Sequence, residues 1–178
     1  MQQQLIAAVR NGFGAPGNWV LVIGDLMLDR YLWGEVERIS PEAPVPVVLL
    51  GKETECAGGA ANVAANLVGL GLPTRLIGCV GADDHGTRLK RTIEAAGIDT
   101  RGILHAENHP TIAKTRIIGG HQQMMRLDRE SRAPYTGNDI QALLRVIHQQ
   151  LAEQPAAVIL SDYAKGVLTT EICQTAIR

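Results

Sequence analysis

Long apolar runs are missing from this chain. None approaches the ~20 residues needed to span a bilayer, so no membrane protein is expected. Charge of one sign is missing as well: a formal net charge of -1 offers nucleic acid or an acidic membrane surface little to hold. Cysteine is scarce. Cys56, Cys79 and Cys173 are scattered and show no C-x-x-C spacing, which speaks against a disulfide frame or zinc site and for reduced thiols in a cytoplasmic protein. The start, Met1-Gln2-Gln3-Gln4, carries no basic segment or long apolar stretch, so no signal peptide is expected. His85, His105, His109, His121 and His148 have neither metal-ligand spacing nor a paired nucleophile, and no internal repeat or low-complexity tract is found. What is present is a 178-residue chain, 46% apolar, long enough to bury the core of one α/β domain.

Residues 19–23, Trp-Val-Leu-Val-Ile, form a continuous apolar run closed by Gly24-Asp25, the pattern of a parallel strand covered on both faces. Residues 75–80 and 157–160 read as further strands. Helices are predicted from the Gly/Ala/Asn run to Gly69-Leu70-Gly71, over 84–96 before Gly97, and from an Asn138 cap through Ile140, Leu143, Leu144, Ile147 and Leu151. Alternating strands and helices imply a mainly parallel sheet with helices on both faces. The segment 40–48 differs, because Pro41, Pro44 and Pro46 exclude a central strand or a helix and predict an edge ribbon or flap. Residues 111–118 and 122–127, joined through Gly119-Gly120, predict a hairpin. The expected organisation is a Gly-rich lead over 1–18 and one domain over 19–178, with lid segments at about 31–52 and 111–127. A last helix begins near Thr169 and no strand follows it before Arg178, so the domain is expected to be truncated.

The stretch from Cys56 to Leu67 is the richest in chemistry. Gly58-Gly59 opens a run of small residues, and Asn62 and Asn66 fall on one helix face. Glycines at a helix start let a ligand approach the backbone, and the free N–H groups there favour polar or anionic groups. Amide side chains both donate and accept, which suits a polyhydroxylated ligand such as a sugar. A tightly packed Ala/Gly helix with solvated asparagines is the plainer alternative; the missing G-x-G-x-x-G spacing counts against a dinucleotide protein. Ligands of open parallel sheets bind beyond the carboxyl ends of the strands, and two strands here end in Asp25 and Asp162. Asp29 follows the first and Lys165 the second. Carboxylates can hold sugar hydroxyls and a Lys can hold a phosphate, unless Asp25 and Asp162 only cap turns. Lys114 and Arg116 share a strand face, with Arg126 on the other hairpin arm, as an anion site or as solvated charge.

Gly58, Gly59 and Asn62 match a Gly-Gly-x-x-Asn signature, and by it the chain resembles the ribokinase-like carbohydrate kinases of the phosphofructokinase-B type. Within them it is most similar to bacterial D-glycero-β-D-manno-heptose-7-phosphate kinases. That similarity lies in Gly24-Asp25-Leu26-Met27-Leu28-Asp29-Arg30-Tyr31, in the run from Arg38 through Ile39-Ser40-Pro41-Glu42-Ala43-Pro44-Val45-Pro46 to Val48, and in Leu160-Ser161-Asp162-Tyr163-Ala164-Lys165-Gly166. The resemblance implies a ribokinase-like fold with a small β lid, and an enzyme moving the γ-phosphoryl of ATP, with Mg2+, to the 1-hydroxyl of heptose 7-phosphate. The product would feed ADP-heptose and the inner core of lipopolysaccharide. It also implies that Asp29, Gly58, Gly59 and Asn62 grip the sugar, with Asp162 at the substrate site, and that Lys114, Arg126 or Lys165 receives the 7-phosphate. The Pro-rich segment would be lid and homodimer clasp. The family's second signature, Gly-Ala-Gly-Asp, carries the general base and phosphate cradle, and it occurs nowhere in this sequence. The chain is therefore expected to be a sugar-binding half without turnover, its ATP site largely absent. A non-catalytic sugar-phosphate-binding or dimerisation module, or a kinase for another sugar, is the alternative.

Overall fold

The computed structural model describes residues 18–106 and 108–177, so all of the 1–18 lead except Asn18 lies outside the described residues. The elements in chain order are β1 (Val20–Gly24), β2 (Leu26–Ile39), β3 (Pro46–Gly59), α1 (Ala60–Gly69), β4 (Thr74–Gly81), α2 (Asp84–Ala95), β5 (Asp99–Ala106), β6 (Ile112–Gly119), β7 (Gln122–Arg129), α3 (Gly137–Ala152), β8 (Ala157–Ser161) and α4 (Thr170–Ile177). They build two four-stranded sheets.

The first sheet is parallel, in the order β5-β4-β1-β8. Strand alternation sends Val20, Val22, Leu76 and Val80 to one face, where they pack with Ala60, Ala61 and Ala64 of α1 and Leu89 and Ile93 of α2. Leu21, Ile23, Ile77 and Cys79 point the other way, against Leu143, Leu144 and Ile147 of α3 and Ile172 of α4. Both faces are covered, which is why these strands read as unbroken apolar runs. Burial pushes the Cys79 thiol up to about 12, so it packs as a small hydrophobe.

The second sheet, β3-β2-β6-β7, stands apart as the lid. β2 pairs antiparallel with β3 and parallel with β6, and β6 pairs antiparallel with β7. It takes in residues on either side of 31–52 and 111–127. Segment 40–45 joins β2 to the edge strand β3, closed by a hydrogen bond from the Ser40 N–H to the Val45 carbonyl (2.8 Å). The β6–β7 hairpin turns through Gly120, whose φ is 60°.

Three expectations need correction. The sequence places Asp29 just past a strand end, but the chain only turns at Asp25 and continues as β2, with Asp29 inside that strand. Asp25 is fully buried. Its carboxylate accepts from the N–H groups of Tyr163 (2.9 Å), Lys165 (3.1 Å) and Val167 (3.1 Å). It therefore clamps the loop after β8 rather than closing β1. β5 went unassigned because its composition is mixed around Gly102, where a Cβ would lie 2.6 Å from the Leu76 carbonyl oxygen. The cap of α3 is Thr136 instead of Asn138. The Thr136 hydroxyl accepts from the Asp139 N–H (3.3 Å) while the Asp139 carboxylate accepts from the Thr136 N–H (3.0 Å), a reciprocal capping box.

Lid and core meet at the start of α2. Asp83 caps that helix through the Gly86 N–H (2.9 Å), accepts from the Thr111 N–H ahead of β6 (3.0 Å) and lies 3.4 Å from Arg129 at the end of β7. His85, which the sequence left without a role, sits between two lid guanidiniums. Arg129 Nη1 donates to its Nδ1 (3.0 Å), and Arg30 Nη1 is 3.5 Å from its Nε2. Burial, then Arg30 and Arg129, hold its pKa below the ordinary histidine value, with Asp83 and Asp84 pulling the other way. The folded state thus resists a proton that the unfolded chain takes up near pH 6.5. Stability should be full above about pH 6.5 and fall as pH drops below it, until folded His85 itself protonates. His85→Gln should flatten that acid-side loss in a thermal-melt series from pH 7.5 to 5. An unchanged slope would show that His85 does not carry it.

Candidate functional site

Strand register assembles one face of the lid. Asp29 lies beside Cys56 on β3 and Lys114 on β6, and Tyr31 lies beside Thr54 and Arg116. On β7, Asp128 faces Lys114 and Arg126 faces Arg116. Residues paired across strands point to the same side, so carboxylates and cations of three strands share this surface.

Asp29 is its centre. Arg116 Nη1 donates to Asp29 Oδ1 at 2.6 Å, with both side chains about one-fifth exposed (21% and 17%). The guanidinium also lies 5.1 Å from the Tyr31 ring centre, within cation–π range. The other oxygen, Oδ2, lies against Gly58, where any Cβ would overlap it. Gly58 is a glycine because Asp29 occupies the space a side chain would fill. Gly59 is the N-cap of α1 with φ 60°, and a Cβ there would overlap the Asp25 carbonyl. α1 has no side-chain cap and no acidic residue in its first turn; its first N–H, that of Ala60, donates instead to the Asp25 carbonyl (2.9 Å). Burial and the neighbouring Asp29 charge push the Cys56 thiol up, with Arg116 pulling back.

Farther along the face, Arg126 grips Asp128 through Nε (2.7 Å) and Nη2 (2.8 Å), and Lys114 Nζ lies 3.5 Å from the same carboxylate. Hydrogen bonds from Arg126, with help from Lys114, hold the Asp128 carboxyl below its ordinary range.

The structure thus joins Asp29, Gly58, Gly59, Lys114 and Arg126 around one surface. Asn62 is exposed and makes no hydrogen bond to a described residue. Asp162 and Lys165 belong to the loop clamped by Asp25. The exposed Asp162 accepts from the Ala164 N–H (2.7 Å) and shapes its own turn, while Lys165 Nζ lies 3.0 and 2.8 Å from the two oxygens of Glu130. Arg116 is the residue whose importance the sequence understated. Its spacing from Lys114 showed a shared face, but its pairing with Asp29 depends on the β2–β6 register. Among the described residues no three His, Cys, Asp or Glu side chains gather as a metal set.

Asp29, on lid strand β2, thus stands over the Gly58-Gly59 start of α1. The chain belongs to the pfkB family of carbohydrate kinases, whose profile matches residues 18–178. It is 53% identical over 177 residues to the bifunctional protein HldE of Methylobacillus flagellatus, covering 99% of this chain and 36% of that protein. It is 54% identical over 160 residues to the protein of the same name from Magnetococcus marinus, covering 89% of this chain and 33% of that protein. The chain spans about a third of the length of these curated relatives. Phosphofructokinase-2 of Escherichia coli, solved with fructose-6-phosphate, superposes with a TM-score of 0.63 at 15% identity, over 90% of this chain and 50% of that one. Arabidopsis thaliana ribokinase, solved with ribose and ATP, gives 0.54 at 18% identity, over 80% and 53%. These two share the fold.

Proposed function

We propose that this chain is the sugar-phosphate-binding half of a kinase that phosphorylates D-glycero-β-D-manno-heptose 7-phosphate at its 1-hydroxyl, toward ADP-heptose and lipopolysaccharide inner core. One observation carries the reading: the Asp29 carboxylate rests on Gly58 at the foot of α1, with a basic strip beside it on the same lid face. Asp29 accepts hydrogen bonds from sugar hydroxyls, Gly58 and Gly59 let the ring approach the backbone, and the exposed Asn62 amide adds a donor and an acceptor. Lys114, Arg116 and Arg126 receive the 7-phosphate. Lys165 stands on the loop after β8 and not on these lid strands, and ranks below them. The lid closes over the sugar and keeps water out.

The resemblance assigns the general base and phosphate cradle to Gly-Ala-Gly-Asp, which this sequence does not contain. Nor do the described residues gather a carboxylate set for magnesium. On this reading the residues present serve substrate capture. The 178-residue chain should bind heptose 7-phosphate calorimetrically yet yield no 1,7-bisphosphate with ATP by phosphorus NMR, since loss of a general base alone costs ~10²–10⁴ in rate. Turnover by the purified chain would put a base within these residues and contradict the division proposed.

The β2–β3 arm of the lid also presents Leu49 (68% exposed), Ile39 (61%) and Val45 (52%) to solvent. Such an apolar ribbon favours a partner surface, and we assign it to a homodimer clasp. Leu49→Glu should convert a dimer to a monomer in light scattering. A wild-type chain that is monomeric at the same concentration would overturn the clasp.

A further inference from the structure

We infer that Arg116 is a phosphate-responsive lock on Asp29, which opens for a phosphorylated sugar and stays closed to the same sugar without its phosphate. The inference rests on the site reading above and adds to it the means of discrimination.

The unliganded site is closed. Asp29 Oδ1 is held by Arg116 at 2.6 Å and the carboxylate is only 17% exposed, so a hydroxyl must displace the guanidinium to reach that oxygen. A neutral sugar must break a half-buried ion pair and offers its guanidinium nothing in exchange. A phosphate monoester offers a dianion with oxygens spaced for bidentate guanidinium contact, a stronger partner than one carboxylate oxygen.

Arg116 is placed to change partners. Among the described residues it donates through Nη1 alone, to Asp29 and, at 3.4 Å, to the Lys114 carbonyl. Its other N–H groups keep a fork available for an anion. Directly across the β6–β7 pair stands Arg126, itself held by Asp128. A dianion that bridges the two guanidiniums draws Arg116 toward β7, away from Asp29 on β2. Tyr31 gives the guanidinium a face to slide along. Oδ1 of Asp29 is then released to accept from a sugar hydroxyl. Arg116 touches the substrate only through phosphate and sets specificity by what it releases.

The test has two arms. In calorimetry on the 178-residue chain, heptose 7-phosphate should bind at least tenfold tighter than heptose. Arg116→Met should weaken the phosphorylated sugar about tenfold while strengthening heptose severalfold, so that the preference collapses, and Arg116→Lys should recover part of it. The second arm needs no sugar. Alkylation of Cys56 by iodoacetamide, followed on its own peptide by mass spectrometry, reads the charge balance at Asp29. Inorganic phosphate, against chloride at equal ionic strength, should raise the pH midpoint of that reaction in wild type. Arg116→Met should show the raised midpoint from the start and no response to phosphate. Equal loss of both sugars in Arg116→Met, or a midpoint indifferent to phosphate in wild type, overturns the lock. Failure of heptose 7-phosphate to bind while the Cys56 response persists overturns the substrate reading and leaves the lock standing.

Discussion

Asp25→Ala is expected to lower folding stability by about 3–5 kcal/mol, the largest effect of any single substitution considered. The side chain is fully buried and takes three backbone N–H groups of the loop following β8. The Val167 donor is buried and those of Tyr163 and Lys165 partly so; a buried donor left unsatisfied costs about 1–3 kcal/mol, and water and relaxation of the loop recover some of the sum. The same residue's carbonyl accepts from the Ala60 N–H (2.9 Å), so β1, α1 and the loop all close on one position. In urea the midpoint should fall with little change in slope, the signature of lost stability with unchanged exposed surface. Asp25→Asn should lie between, because its amide group turns a donor toward one of the N–H groups. A loss below about 1 kcal/mol in Asp25→Ala would mean that the loop is held by something else.

The second large effect falls on binding. Asp29→Ala should weaken heptose 7-phosphate by at least tenfold, since hydrogen bonds to a charged group are worth about 1.5–3 kcal/mol. Stability should change little, as an ion pair of this exposure contributes about 0–1 kcal/mol. Gly58→Ala should imitate it by a different route: the new Cβ overlaps Asp29 Oδ2 and displaces the carboxylate without removing it. Unchanged sugar affinity in both variants, with sharply lower melting temperatures, would assign Asp29 and Gly58 to packing alone.

The parts of the fold that sequence made legible share a physical cause. β1 and β4 are buried between two layers and β8 partly so, and their apolar residues run without interruption. Pro41, Pro44 and Pro46 forbid a place within a central sheet, and 40–45 indeed lies between two lid strands. β2 was illegible for the opposite reason. Its first residues are buried on both sides, and its later ones alternate between a charged face and the α2 network of Arg30, Glu55 and Arg88. No simple period survives that change of surroundings. Asp29, Gly58, Gly59, Lys114 and Arg126 were found as candidates because residue type and motif were enough to name them. The Arg116–Asp29 pair was not, because its members lie 87 positions apart and meet only through strand register. The partner of Lys165 is hidden for the same reason, since the Glu130 that engages it is 35 positions distant.

A proton–nitrogen correlation titration of the labelled 178-residue chain with heptose 7-phosphate tests the sugar-binding site most directly. Saturable shifts should concentrate on the amides of Asp29, Gly58, Gly59, Asn62 and Arg116 and vanish in Asp29→Ala. Shifts confined to the opposite end of the sheet, around Thr74, Arg75 and Asp99, or none at all, would contradict a sugar-phosphate site between lid and α1.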